Sequence, residues 1–115
     1  MKLAIIGSRS FDNYDLLNNE ILSLGIIISE VISGGAKGAD NLAEKWAINN
    51  QIELTIIKPN WSLYGRGAGI KRNEKIINDC DYCIAFWDGK SKGTLSSIKF
   101  CEKYSKPHTI VLTKN

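Results

Sequence analysis

The sequence predicts an α/β fold, an open parallel sheet with helices on both faces. Two observations carry this. Short apolar runs alternate along the chain with apolar residues at three- and four-residue spacing, as strands alternating with helices require. The runs are also apolar almost throughout, the mark of strands covered on both sides.

Leu3 to Ile6 is the first such run, closed by Gly7, and Tyr14, Leu17, Ile21 and Leu24 then recur at helical intervals. Val31 and Ile32 lead into Ser33-Gly34-Gly35, after which Ala39, Leu42, Ala43, Trp46 and Ala47 mark one face of a second helix. Leu54 to Ile57 is a third strand, ended by Lys58-Pro59, because proline removes a ladder donor. A loop follows with Trp61, Tyr64 and three glycines, and Ile70, Ile76, Ile77 and Cys80 mark a third long helix. Tyr82 to Trp87 is a fourth strand, Leu95, Ile98, Cys101 and Tyr104 a fourth helix, and Thr109 to Leu112 a fifth strand. Ile26 to Ile28 is apolar without clear period and fits neither element.

The chain has 115 residues, enough for one domain with its own apolar core, so residues 1–115 are expected to form a single unit. Hydrophobic residues make up 43% and charged residues 23%, the balance of a soluble globular protein. No run approaches the roughly 20 apolar residues of a membrane helix, and the apolar start is too short for a signal-peptide core. A cytoplasmic location is expected, with no membrane partner. Three cysteines, Cys80, Cys83 and Cys101, form an odd set and read as buried thiols; with one histidine, His108, they make no metal site. No metal and no cofactor is expected. The net charge of +3 is mild and does not point to nucleic acid, although many of the basic residues fall at the ends of the strands.

Ligands of such sheets bind beyond the carboxyl ends of the strands, near the point where strand order reverses. Four junctions lie there: "GSRSF", "SGGAKGAD", "KPNWSLYGRGAG" and "WDGKSKGT". Glycines between a strand and a helix let the backbone turn tightly, and the free N–H groups of the first helical turn then face an anion. Ser33, Gly34, Gly35, Lys37 and Gly38 suit that task, as do Gly89, Ser91, Gly93 and Thr94, with Gly7, Ser8 and Arg9 as a third donor loop. Hydrogen bonds to a charged partner are worth about 1.5–3 kcal/mol each, so several would hold a phosphate. Neither glycine loop has the G-x-G-x-x-G or G-x-x-x-x-G-K-[ST] order, which disfavours a dinucleotide oxidoreductase or a P-loop ATPase. Trp61, Tyr64 and Trp87 offer rings for stacking on a base, or serve as loop anchors and a core cap. Asp40, Glu44 and Asp88 are the candidate catalytic carboxylates. Asp40 equally suits the dipole of its own helix.

In order and spacing, "AIIGSRSF", "VISGGAKGADNLAE", "PNWSLYGRGAGIKRNEKI" and "CIAFWDGKSKGT" resemble the YspA/cpYpsA-related group of the SLOG superfamily. That Rossmann-like clan also holds the LOG phosphoribohydrolases and the DNA-processing protein DprA. The resemblance implies strand order 3-2-1-4-5 and a site for an ADP-ribose-like, NAD-derived or cyclic nucleotide ligand. It places Gly7, Ser8, Arg9, Gly34, Gly35, Gly38, Asp40, Arg72, Asn73, Asp88, Gly89, Gly93 and Thr94 in that site. LOG enzymes carry P-G-G-x-G-T-x-x-E with a catalytic glutamate; here Gly93-Thr94 match the G-T, but the third residue after Thr94 is Ser97. The expectation is therefore a sensor or sequestering protein for a nucleotide-derived small molecule. A hydrolase of such a nucleotide is the alternative, and DprA-like single-stranded DNA binding a lesser one. Relatives in the superfamily often pair, so a homodimer or higher oligomer is expected.

Overall fold

The computed structural model describes residues 1–113. Its elements follow in the order β1 (Lys2–Gly7), α1 (Tyr14–Ser23), β2 (Glu30–Ser33), α2 (Ala39–Asn49), β3 (Glu53–Ile56), α3 (Trp61–Tyr64), α4 (Ala68–Asp79), β4 (Tyr82–Trp87), α5 (Lys92–Lys103) and β5 (His108–Leu112). A 3-10 turn, Gly65–Gly67, joins α3 to α4. All strand pairs are parallel and the sheet runs β3-β2-β1-β4-β5, the expected order. Ala4 pairs with Ile32 on one side and Cys83 on the other, so β1 is central.

Side chains alternate across this sheet, and each set meets its own pair of helices. Leu3, Ile5, Val31, Ile84 and Phe86 pack with Leu17 and Ile21 of α1 and with Ala39, Ala43, Trp46 and Ala47 of α2. On the other face Ala4, Ile6, Ile32, Cys83 and Ala85 meet Ile76 and Ile77 of α4 and Ile98 and Cys101 of α5. Each fully buried Leu, Ile or Phe contributes about 1.5–3 kcal/mol, so these two layers are the main stabilising feature. Phe11 stacks on Phe86 with ring centres 4.8 Å apart and covers the end of the first layer beside the β1 terminus.

Caps mark where helices begin. Asn13 accepts from the Leu16 N–H at 3.0 Å at the start of α1. Asn60 does the same for Leu63, which is why "NWSLY" forms the short helix α3 where the spacing indicates only a loop. Ile70 is 56% exposed, and Ala68 takes the buried place at the head of α4; the run of glycines hides the true phase of that helix. Residues 26–28 are an extended strap in which Ile26 and Ile28 pack on the first core while Ile27 is exposed. The strap is tied to β1 by the Met1 ammonium, which donates to the Ile27 carbonyl at 2.8 Å.

Candidate functional site

The chain turns back from every strand except β5 around one cleft of about 680 Å³, at the carboxyl ends of the sheet where strand order reverses about β1. β1 contributes Gly7 and Arg9, the β2–α2 turn Gly34, Gly35, Ala36 and Asp40, and the end of β3 Lys58 and Pro59. Trp61 of α3 and Gly69, Arg72 and Asn73 of α4 form the far wall. Ser91, Gly93, Thr94 and Ser97 bring in the first turns of α5.

Arg72 and Asp40 dominate the electrostatics. The Arg72 guanidinium donates through Nη1 to the Gly34 carbonyl at 2.8 Å and through Nε to Asn73 Oδ1 at 2.8 Å. Asp40 is 8% exposed, and its Oδ2 accepts from the Ala36 N–H at 3.1 Å. Both groups reach the bare α-carbon of Gly34: a β-carbon there would stand 2.6 Å from Arg72 Nη1 and 2.9 Å from Asp40 Oδ2. Burial pushes the Asp40 carboxyl above its ordinary range, opposed by the Ala36 N–H and by the Arg72 charge. Burial likewise lowers the Arg72 guanidinium, and the Asp40 carboxylate opposes that shift.

Several expected residues support the cleft from behind. Ser8 is buried; its Oγ accepts from the Asp88 N–H at 3.1 Å, while its carbonyl accepts from Ala39 N at 3.3 Å. Ser33 is buried under Asp40. Gly38 has φ +76°, and a β-carbon on it would lie 2.4 Å from the Ser8 and Arg9 carbonyl oxygens, so it locks the β1 loop to the head of α2. Asp88 Oδ1 accepts from the Lys90 and Ser91 N–H groups, each at 2.8 Å, and these bonds hold its carboxyl below the ordinary range. Its carboxylate orders the β4–α5 turn and is not among the groups lining the cleft.

Lys37, Glu44, Tyr64, Trp87 and Gly89 also lie outside the lining. Lys37 is exposed, and Trp87 packs on the second core with its Nε1 donating to the Ser91 carbonyl at 3.1 Å. Lys58, Pro59, Gly69 and Ala36 line the cleft as well, although no ligand motif in the sequence marks them. The signal for Lys58 was its position at a strand end. Ser97 lines the cleft too, with its hydroxyl turned to the Gly93 carbonyl at 3.3 Å. Cys80, Cys83 and Cys101 are free and buried, and no cluster among the described residues suits a metal ion.

Solved structures agree with this one in fold. The DNA processing protein A (DprA) of Streptococcus pneumoniae superposes with a TM-score of 0.78 at 17% identity, covering 95% of this chain and 49% of that one. The DprA of Helicobacter pylori, whose structure is described as showing a unique single-stranded DNA binding mode, superposes at 0.70 with 23% identity. It is matched over 96% of this chain and 64% of its own, so the present chain spans about half to two thirds of these proteins. In sequence, the Gene 61 protein of Mycobacterium phage D29 is 30% identical over 118 residues, 92% of either chain. The model of the YspA, cpYpsA-related SLOG family matches residues 1–64, the stretch holding the β1 loop, the β2–α2 turn with Asp40, and Lys58. On that match and the phage relative, the chain belongs to the YspA, cpYpsA-related SLOG family.

Proposed function

We propose that the cleft binds a nucleotide or nucleotide-derived small molecule through its phosphate, and that the protein acts as a sensor or sequestering protein for it. The observation that carries this reading is the convergence of Arg9, Lys58 and Arg72 with the first turn of α5 on one cleft at the reversal point of the sheet. Three cations against one carboxylate, Asp40, favour an anion, and the volume suits a nucleotide-sized molecule. Gly93 and Thr94 sit at the positive end of the α5 dipole, and Trp61 supplies a ring at the rim. Calorimetric titration with AMP and ADP-ribose tests it. Micromolar binding that falls more than tenfold in Arg72→Ala is expected; no binding of either compound overturns the reading.

Two other readings each rest on an observation. Asp40 is the one carboxylate among the described residues lining the cleft, and its raised pKa suits a general acid or base, which favours Asp40 over Asp88 and Glu44 if the ligand is hydrolysed. Chromatography of incubated nucleotides would reveal product, lost in Asp40→Asn. The likeness to the DprA structures, one described for its single-stranded DNA binding mode, gives strand binding more support than the mild net charge does. Affinity that falls steeply with salt and rises with strand length would mark that case.

A further inference from the structure

Beside the first cleft lies a second, of about 590 Å³, between the end of β3, α3 and α4. Lys58 and Arg72 line both, so the two are joined along these side chains. The second cleft is framed by Tyr64, Lys71, Lys75, Glu74 and Asp79. Both carboxylates are already engaged: Asp79 pairs with Lys75 at 3.0 Å, and Glu74 accepts from the Tyr104 hydroxyl. With Lys75 and Asp79 offsetting each other, Lys58, Lys71 and the shared Arg72 stand against the one carboxylate of Glu74, so the charge of the described lining is cationic on balance. Lys71 Nζ lies 5.8 Å from the centre of the Tyr64 ring, and that ring is 47% exposed. An ammonium beside a half-exposed aromatic face is a combination suited to one phosphate and one base. Trp61 gives the first cleft its own ring, so each cleft has an aromatic group and the cations lie between them.

We propose that the two clefts form one bipartite site for two nucleoside units joined through phosphate, with the linking phosphate at Lys58 and Arg72 and the second unit on Tyr64 and Lys71. This rests on the nucleotide reading of the first cleft and adds a second binding position to it. Two sources share this chemistry, a free pyrophosphate-linked dinucleotide and a stretch of single strand.

Titration of the full chain with AMP against NAD⁺, and with dTMP against the dinucleotide pTpT and a longer thymidine strand, tests the proposal. At least one linked ligand is expected to bind tenfold or more tightly than its own mononucleotide. Lys71→Glu should abolish that gain and leave mononucleotide affinity unchanged, and Lys71→Arg should retain it; Lys71 is exposed, so both variants should fold. A gain for NAD⁺ alone identifies the free dinucleotide as the source, and a gain for the thymidine series identifies the strand. If mononucleotides bind and no linked ligand binds more tightly, or the gain survives Lys71→Glu, the bipartite site is wrong and the first cleft stands. If nothing binds, both readings fall.

Discussion

A β-carbon at Gly38 would meet two backbone oxygens at 2.4 Å in a backbone with positive φ, whereas one at Gly34 would meet only the ends of two side chains. The two glycines should therefore fail differently. Gly38→Ala must move backbone and is expected to cost about 3 kcal/mol or more in urea unfolding. Gly34→Ala can be relieved by swinging Arg72 and Asp40 aside, so it should cost about 1 kcal/mol of stability yet weaken phosphate ligands about tenfold in calorimetry. Asp40 itself costs stability at neutral pH. Its carboxyl is raised in the folded state, so the folded protein holds more protons than the unfolded chain between the ordinary carboxylate value and the raised one. That contribution is complete below the ordinary value and is lost as pH rises through the raised one. Asp40→Asn keeps an oxygen for the Ala36 N–H and removes the buried charge. Its melting temperature should exceed that of the wild type at pH 7, with the advantage shrinking towards about pH 4.

Among the elements, those with an apolar run or an apolar stripe of regular period are legible, and the one short helix whose start rests on a capping side chain alone is not. Tyr82–Trp87 is the strand its residues predict, and the α2 stripe Ala39, Ala43, Trp46 and Ala47 is buried as its spacing requires. Residues 61–70 escaped because Asn60 starts a helix that polar and glycine residues then turn into α4, and no apolar period records such a turn. The same distinction holds in the site: glycines and basic residues at strand ends mark the junctions, but which side chain faces the cleft depends on packing. Trp87 and Asp88 sit in the right junction and are drawn away from the lining, one by the core and one by two backbone N–H groups. Asp88→Ala should therefore act indirectly, loosening the β4–α5 turn and weakening binding without removing a ligand contact. Asn13→Ala provides the contrast: loss of the α1 cap should cost about 1 kcal/mol, measured by thermal unfolding, with affinity unchanged.

For the molecule as a whole, the cleft draws residues from the ends of four strands and the starts of four helices, so a bound ligand ties both core layers together. At about 100 times its dissociation constant a ligand adds roughly 2.7 kcal/mol to unfolding, a rise in melting temperature on the order of 10 °C for a chain of this size. The same coupling makes the buried thiols useful. Cys80, Cys83 and Cys101 all lie in the layer beneath α4 and α5 and are 1%, 0% and 1% exposed, with Cys80 pushed up to about 11 by burial. A thiol-specific reagent can reach them only when that layer opens, so the rate of alkylation in a crude extract counts openings of the fold. Occupancy of a cleft that holds no cysteine would thus be read as slower labelling of three sulfurs, without purification and before the ligand has been identified.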